Sequence, residues 1–141
     1  MSWKETEVPA VQGGSRLLAR IRFSDGDPCV VEASIGPDPP IRGEGSDLFD
    51  ALAAVRRQLD TRSVLLQCNG SRRDVYPSQM QRQATSGRRA YVLNLPRSTA
   101  RPPTVDIFDT APPDSVLASV DEQRAWFDQW VQGAPNQGQL P

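Results

Sequence analysis

The side chains best suited to chemistry lie between residues 72 and 91, where arginines occur in pairs beside tyrosines. A guanidinium group binds carboxylates and phosphates through two parallel hydrogen bonds, and a neighbouring tyrosine adds an aromatic ring and a hydroxyl group. This combination is typical of surfaces that bind anionic partners. The candidate partner-binding residues are Arg72, Arg73, Tyr76, Arg82, Arg88, Arg89 and Tyr91.

The charges divide the chain into three blocks. Residues 1–55 carry 5 basic and 9 acidic side chains, residues 56–101 carry 10 and 2, and residues 102–141 carry 1 and 6. The blocks therefore have net charges of −4, +8 and −5, although the whole chain has a net charge of −1. Blocks of opposite charge can pair within a fold or can be presented to a partner. The sequence leaves both arrangements open.

The composition excludes several classes of active site. The chain contains no histidine, so a Ser-His-Asp triad, a Cys-His dyad and the common histidine-containing zinc sites are absent. Its two cysteines, Cys29 and Cys68, are too few for a four-cysteine metal site, and their apolar neighbours predict buried thiols. We therefore predict no catalytic residue, no metal and no cofactor, which is more typical of a binding protein than of an enzyme.

Three hypotheses for the function follow from the arginine-rich segment. We favour a non-enzymatic binding or accessory protein whose arginine-rich face contacts an acidic protein partner, since small size and segregated charge also fit an inhibitor of the immunity or antitoxin type. In the second hypothesis, a pocket near Cys68 and Tyr76 binds or acts on an anionic small molecule. In the third, the same arginines bind nucleic acid, although a pI of about 5.4 and the absence of a known nucleic-acid-binding pattern disfavour it.

The sequence also bears on where the protein resides. It contains no apolar run of about 18 residues, the length needed to span a membrane. Its first ten residues lack the basic and then apolar pattern of a secretory signal. We therefore expect a cytoplasmic protein without a membrane partner.

The arginine-rich segment must be positioned by the elements around it. Residues 1–14 show no sustained periodicity and are predicted to be a loose lead-in. Residues 15–133 are predicted to form one domain, and the polar residues 134–141 a disordered tail.

Hydrophobic periodicity predicts the elements of the domain. In chain order they are strands over 16–23 and 29–35, a connector without regular structure over 36–45, a helix over 46–60, an interior strand over 63–68, a short strand over 71–76, a loop or helical turn over 78–87, strands over 88–95 and 105–109, and a helix from Ser119 to Gly133. Asp25-Gly26 and Asn69-Gly70 are turn pairs and predict two hairpins. The order β-β-α-β-β-β-β-α predicts an α+β fold, a mainly antiparallel sheet of about five to six strands with two helices packed on it.

Caps support the two predicted helices. Ser46 is predicted to be the N-cap of the first helix, with Asp47 in its first turn. Ser119 and Glu122 form the pattern of a capping box at the start of the second helix. The aromatic side chains of the second helix are predicted to face the core.

Overall fold

The computed structural model describes residues 2–98 and 100–133 of the chain. These residues form eight strands: β1 (Lys4–Gln12), β2 (Ser15–Ser24), β3 (Cys29–Ile35), β4 (Ile41–Gly45), β5 (Val64–Leu66), β6 (Val75–Tyr76), β7 (Arg89–Val92) and β8 (Thr104–Asp106). They also form three helices: α1 (Leu48–Asp60), α2 (Gln79–Ala84) and α3 (Val120–Gln132). The predicted α+β class is confirmed, with one more helix than expected. The predicted disordered tail, residues 134–141, lies outside the described residues.

The strands form two antiparallel sheets. The larger sheet has the order β4-β3-β2-β1-β5, and the smaller has the order β6-β7-β8. In the larger sheet β1 pairs with β2 over its whole length, from Lys4 opposite Phe23 to Gln12 opposite Ser15. The predicted hairpin at Asp25-Gly26 is confirmed, because β2 and β3 pair antiparallel on either side of it.

The prediction of a loose lead-in is wrong for residues 4–12, which form β1 in the interior of the larger sheet. Only Val8 and Ala10 on this strand are buried apolar residues, with 1% and 2% of their surface exposed. Two apolar residues give a weak alternating pattern. The strand is instead specified by its neighbours, since it pairs with β2 on one side and with β5 on the other.

The prediction of an irregular connector over 36–45 is wrong for residues 41–45, which form the edge strand β4. This strand contains Gly43 and Gly45, and helix α1 packs directly against both. A Cβ atom added to Gly43 would contact the carbonyl oxygen of Ala51 and lie 2.8 Å from the backbone nitrogen of Val55. A Cβ atom added to Gly45 would lie 2.7 Å from the nitrogen of Ala51. The two glycines therefore allow the helix and the strand to approach each other closely.

Helix α1 covers the inner face of the larger sheet, as its apolar periodicity predicts. Its core-facing side chains are Leu48, Phe49, Leu52, Val55 and Leu59. The N-cap is Asp47, one residue later than predicted, because the Asp47 carboxylate accepts a hydrogen bond of 2.8 Å from the Asp50 backbone N–H. The Ser46 hydroxyl instead donates to the carboxylate of Asp50.

The prediction of a hairpin at Asn69-Gly70 is wrong. Residues Asn69–Ser71 form a turn of 3₁₀ helix, and β6 pairs with β7 rather than with β5. The turn is buried: the Gly70 N–H donates to the Ile107 carbonyl, and the Asn69 side chain donates to the Asp106 carbonyl. Hydrogen bonds to residues that are distant in the sequence thus form here instead of a local hairpin. Strand β5 also lies at the end of the sheet rather than in its interior.

Helix α3 packs across the second half of the fold. Its predicted capping box is confirmed, with the Ser119 hydroxyl accepting from the Glu122 N–H and the Glu122 carboxylate accepting from the Ser119 N–H. Helix α2 has a similar box from Ser78 and Gln81, so the predicted loop or helical turn is a short helix. No helix among the described residues is long and apolar enough to cross a membrane.

Candidate functional site

Three of the predicted partner-binding arginines form ion pairs within the fold. Their pairs are Arg72 with Asp74 at 3.0 Å, Arg82 with Asp47 at 2.8 Å and with Asp50 at 3.0 Å, and Arg88 with Asp106 at 2.8 Å. Asp47, Asp50 and Asp106 come from the two acidic blocks of the sequence. The positive middle block is therefore partly neutralised by the acidic ends through Arg82 and Arg88, which join distant segments, whereas Arg72 pairs with Asp74 two residues away.

The two predicted tyrosines are buried. Tyr76 has 9% of its surface exposed and stacks on Phe127, with ring centroids 4.0 Å apart. Tyr91 has 3% exposed and lies opposite Tyr76 in the β6–β7 pair. Neither ring is presented on the surface as the sequence suggested.

The remaining two arginines are exposed but lie at opposite ends of the smaller sheet. The register places Tyr76 opposite Tyr91, so Arg73 lies beyond the C-terminal end of β7 and Arg89 lies at its N-terminal end. Arg89 donates to the Thr104 hydroxyl at 2.9 Å. The structure therefore does not bring the seven predicted residues together on one face.

Arg73 instead belongs to a different surface, formed with helix α3. The Arg73 guanidinium lies over the indole ring of Trp126, 5.8 Å from its centroid. The Arg97 guanidinium lies over Trp130 at 3.8 Å. Trp126 and Trp130 are four residues apart on one helix, so their side chains are neighbours. Two arginines thus stack side by side on two tryptophans, at distances typical of cation–π contacts.

Two exposed apolar side chains lie near these stacks, and a third exposed arginine lies on a neighbouring segment of the chain. The Val116 carbonyl accepts from the Arg73 N–H, and Val116 is 52% exposed. Leu95 packs near Gly133, the residue that follows α3, and is 42% exposed. The Val92 N–H, at the end of β7, donates to the Pro103 carbonyl. Arg101 is exposed and lies two residues before Pro103, on the segment that this bond holds beside β7. We call the following set the arginine–tryptophan patch, in which the buried Trp130 lies beneath Arg97: Arg73, Leu95, Arg97, Arg101, Val116, Trp126 and Trp130.

Sequence reasoning assigned the tryptophans of α3 to the core. Trp130 is in the core, with 3% exposed, but Trp126 is only half-buried. Periodicity gave no signal of this difference, since the aromatic residues at 126, 127 and 130 cover an arc of about 100°, the ordinary width of a core-facing stripe.

The thiol of Cys68 is enclosed. Cys68 has 0% of its surface exposed, and its Sγ lies 3.5 Å from the Ser71 hydroxyl oxygen. Burial raises the pKa of the Cys68 thiol above its ordinary value, and burial together with Asp25 raises that of Cys29. Both cysteines are free thiols. A neutral, enclosed thiol is a poor nucleophile, so the structure gives Cys68 no catalytic setting.

We expect both thiols to resist a thiol reagent in the native protein at about pH 8, because each is buried and protonated. The release of chromophore measures the reaction. The same assay in denaturant serves as the control and should show that two thiols react. Rapid reaction of the native protein would show that Cys29 or Cys68 is accessible, and at Cys68 it would favour the hypothesis of an enzyme.

Together, the fold and the patch define an α+β protein with a basic and aromatic surface beside helix α3. Among the described residues no group of three or more cysteine or acidic side chains is placed to hold a metal ion. The sequence matches no protein-family model and no curated protein.

Proposed function

We propose that this chain is a non-enzymatic binding protein whose arginine–tryptophan patch contacts an acidic protein partner. The observation that supports this proposal is the pair of arginines stacked on Trp126 and Trp130, with exposed Leu95 and Val116 beside them. Arginine and tryptophan are the residues most enriched among those that dominate binding energy in protein interfaces.

The charges of the patch favour an acidic partner. Neither Arg73 nor Arg101 forms an ion pair within the described part of the chain, whereas Arg72, Arg82 and Arg88 do. An arginine that stacks through its planar face keeps the N–H groups at its edge available for a carboxylate. A stacked arginine also loses less conformational freedom when it binds.

The size and segregated charge of the chain fit an inhibitor of the immunity or antitoxin type, with the acidic protein as its target. A cytoplasmic location, expected from the sequence, belongs to the same proposal. The patch combines apolar and basic side chains, which suits a protein surface better than a phosphate backbone, where basic and polar contacts dominate.

Reversing the charge of two arginines in the patch should weaken the binding of the partner. We expect the double variant Arg73→Glu/Arg101→Glu to lose at least about tenfold in affinity, roughly 1.4 kcal/mol, because two partner carboxylates would face negative charge. A pull-down from a lysate of the source, with mass identification, supplies the partner. Calorimetry with the purified pair measures the affinity. Trp126→Ala should also weaken binding, since it removes the surface under Arg73.

The matched control is Arg62→Glu/Arg89→Glu, which changes the net charge equally at two exposed arginines outside the patch. Both variants should keep the melting temperature of the wild type. Equal loss in the two variants would mean that net charge rather than the patch drives binding. A partner that is a nucleic acid, with affinity falling steeply in salt, would replace the proposal with the third hypothesis.

A further inference from the structure

A second candidate site lies between helices α1 and α3, on residues that do not belong to the arginine–tryptophan patch. It is a cleft of about 300 Å³. Small-molecule sites usually occupy about 300–1,000 Å³, so a small ligand fits this space. We call it the α1–α3 cleft; its main lining residues are Phe49, Ala53, Ala54, Arg57, Tyr76 and Arg124.

Two arginines at the cleft form exposed ion pairs. Arg57 pairs with Asp121 at 3.0 Å, and Arg124 pairs with Asp128 at 3.1 Å. All four side chains are more than half exposed. Exposed pairs of this kind contribute little to stability, so a carboxylate from a ligand can replace the aspartates without loss of the fold.

Tyr76 supplies a third donor to the cleft. Its side chain is nine-tenths buried, and its oxygen accepts a hydrogen bond of 3.1 Å from Arg124. The hydroxyl hydrogen has no acceptor among the hydrogen bonds of the described residues. A buried hydroxyl normally donates as well as accepts, so this hydrogen is available to a bound oxygen atom.

Acceptors at the cleft are already engaged. Asp50 is the carboxylate in its lining, and it accepts from Arg82 at 3.0 Å and from the Ser46 hydroxyl at 3.2 Å. The amide of Gln123 is fully used in the core, where it bonds to Arg56 and to backbone carbonyls. The free hydrogen-bonding capacity at the cleft is thus mainly that of donors, which matches an anion.

The rest of the cleft is apolar. The Phe49 ring meets the Tyr76 ring edge-on, with centroids 5.2 Å apart. The small side chains of Ala53 and Ala54 leave room beside these rings. A flat apolar group can therefore lie in the cleft while a charged group at its end reaches the arginines.

We propose that the α1–α3 cleft binds a small organic carboxylate. The apolar body of the ligand lies against Phe49, Ala53 and Ala54. Its carboxylate accepts hydrogen bonds from Arg57, Arg124 and the Tyr76 hydroxyl. A planar carboxylate matches the fork of an arginine, which a spherical anion does not. This site does not depend on the partner proposed above, because it shares no residue with the arginine–tryptophan patch.

The test is an NMR titration of the isotope-labelled full chain with benzoate, a carboxylate with a flat apolar body. We expect saturable shifts confined to the amides of α1 near Phe49–Arg57 and of α3 near Arg124. Benzyl alcohol lacks the charge and acetate lacks the apolar body, so each should bind at least about tenfold more weakly. Inorganic phosphate tests the class of anion and should also bind more weakly.

Three variants locate the carboxylate. Arg57→Gln and Arg124→Gln each change an exposed side chain, and Tyr76→Phe removes only the hydroxyl while the stacked ring remains. Each should weaken benzoate binding by at least about threefold, whereas Arg89→Gln should not change it. The unchanged spectrum of the rest of the chain shows that each variant is folded.

Several results would overturn the site. Absence of saturable shifts, or shifts spread over arginines elsewhere, would show that the cleft holds no carboxylate. Equal affinity for benzyl alcohol and benzoate would mean that the cleft is an apolar pocket that does not recognise the carboxylate. Tighter binding of phosphate than of benzoate would mean that the ligand is a phosphate rather than a carboxylate. Binding retained in an Arg57→Gln/Arg124→Gln double variant would assign the anion to other residues.

Discussion

Replacing Gly43 with alanine is expected to destabilise the protein by about 3 kcal/mol, the upper end of the usual cost of overpacking. The new methyl group would contact the Ala51 carbonyl oxygen and lie 2.8 Å from the Val55 nitrogen and 2.9 Å from the Ala54 Cβ. Two of these three atoms belong to the backbone of α1. They cannot rotate away, so the whole helix would have to move from β4. Denaturation by urea measures the loss as a lower midpoint with an unchanged slope.

Gly14→Ala is the matched control for this prediction. No heavy atom lies within 4 Å of a Cβ atom added to Gly14, and its φ angle is outside the left-handed region. We expect its free energy of unfolding to stay within about 0.5 kcal/mol of the wild type, as for most surface substitutions. If Gly43→Ala were equally neutral, α1 would not be packed against β4 as closely as the structure shows.

Local patterns predicted those parts of the fold that local contacts determine. The hairpin between β2 and β3 follows from Asp25-Gly26 and two alternating runs, and the start of α3 follows from Ser119 and Glu122. In each case the residues that carry the signal contact one another within the element. The sequence therefore predicts the element without knowledge of its neighbours.

Elements that depend on distant contacts could not be predicted in this way. Strand β1 has few apolar residues and is defined by pairing with β2 and β5. In β4, Gly43 and Gly45 gave the sequence the pattern of a flexible connector. In the structure these glycines allow α1 to pack closely against the strand. Asn69-Gly70 is a good local turn, yet the contacts of Gly70 with residue Ile107 decide its conformation. Tertiary contacts outweigh local preference at these positions.

The same limit applies to the candidate site. Sequence blocks of charge show that arginines are abundant, but pairing with Asp47 and Asp106 decides which of them remain exposed. Arg73 was identified from its place in the sequence. Its stacking on Trp126 was not, because 53 positions separate the two residues. The arginines that could bind a partner are thus determined by which of them form ion pairs within the fold.

The second large effect is expected at Arg56, which is buried in the interface between α1 and α3. Arg56 has 3% of its surface exposed and donates to the carbonyls of Gly70 and Ala118 and to the Gln123 side chain, at 2.7 to 2.9 Å. Burial lowers the pKa of its guanidinium, and none of these three partners is a carboxylate. All three hydrogen bonds thus go to neutral acceptors, and the Asp60 carboxylate attracts the charge only from a distance, which makes every one of these bonds important.

Gln123 is the centre of the same network. Its side-chain amide accepts from Arg56 and donates to the carbonyls of Gly70, Arg72 and Val75. Gln123→Leu keeps the volume of the side chain but leaves these backbone carbonyls without that donor and the guanidinium without one acceptor. We expect a loss of about 3–5 kcal/mol, the usual cost of breaking a buried interaction of a charged group.

Arg56→Met should cost a similar amount, because it removes the donor to Ala118 and leaves the Gln123 oxygen without a partner. Arg57→Met is the matched control at the next position of α1. Arg57 is exposed and paired only with Asp121, so its replacement should cost no more than about 1 kcal/mol. Thermal and urea denaturation of the three variants give these values directly.

The double variant Arg56→Met/Gln123→Leu distinguishes a network from two separate effects. Arg56→Met removes the guanidinium, so the double variant contains no buried charge that could lose the Gln123 acceptor. The cost of the double variant should therefore be smaller than the sum of the two single costs by about 1–3 kcal/mol. Additive costs would mean that Arg56 and Gln123 stabilise the protein independently. Because this network joins α1 to α3, coupling here would also show that the wall of the α1–α3 cleft is fixed from the core rather than by the exposed ion pairs at its mouth.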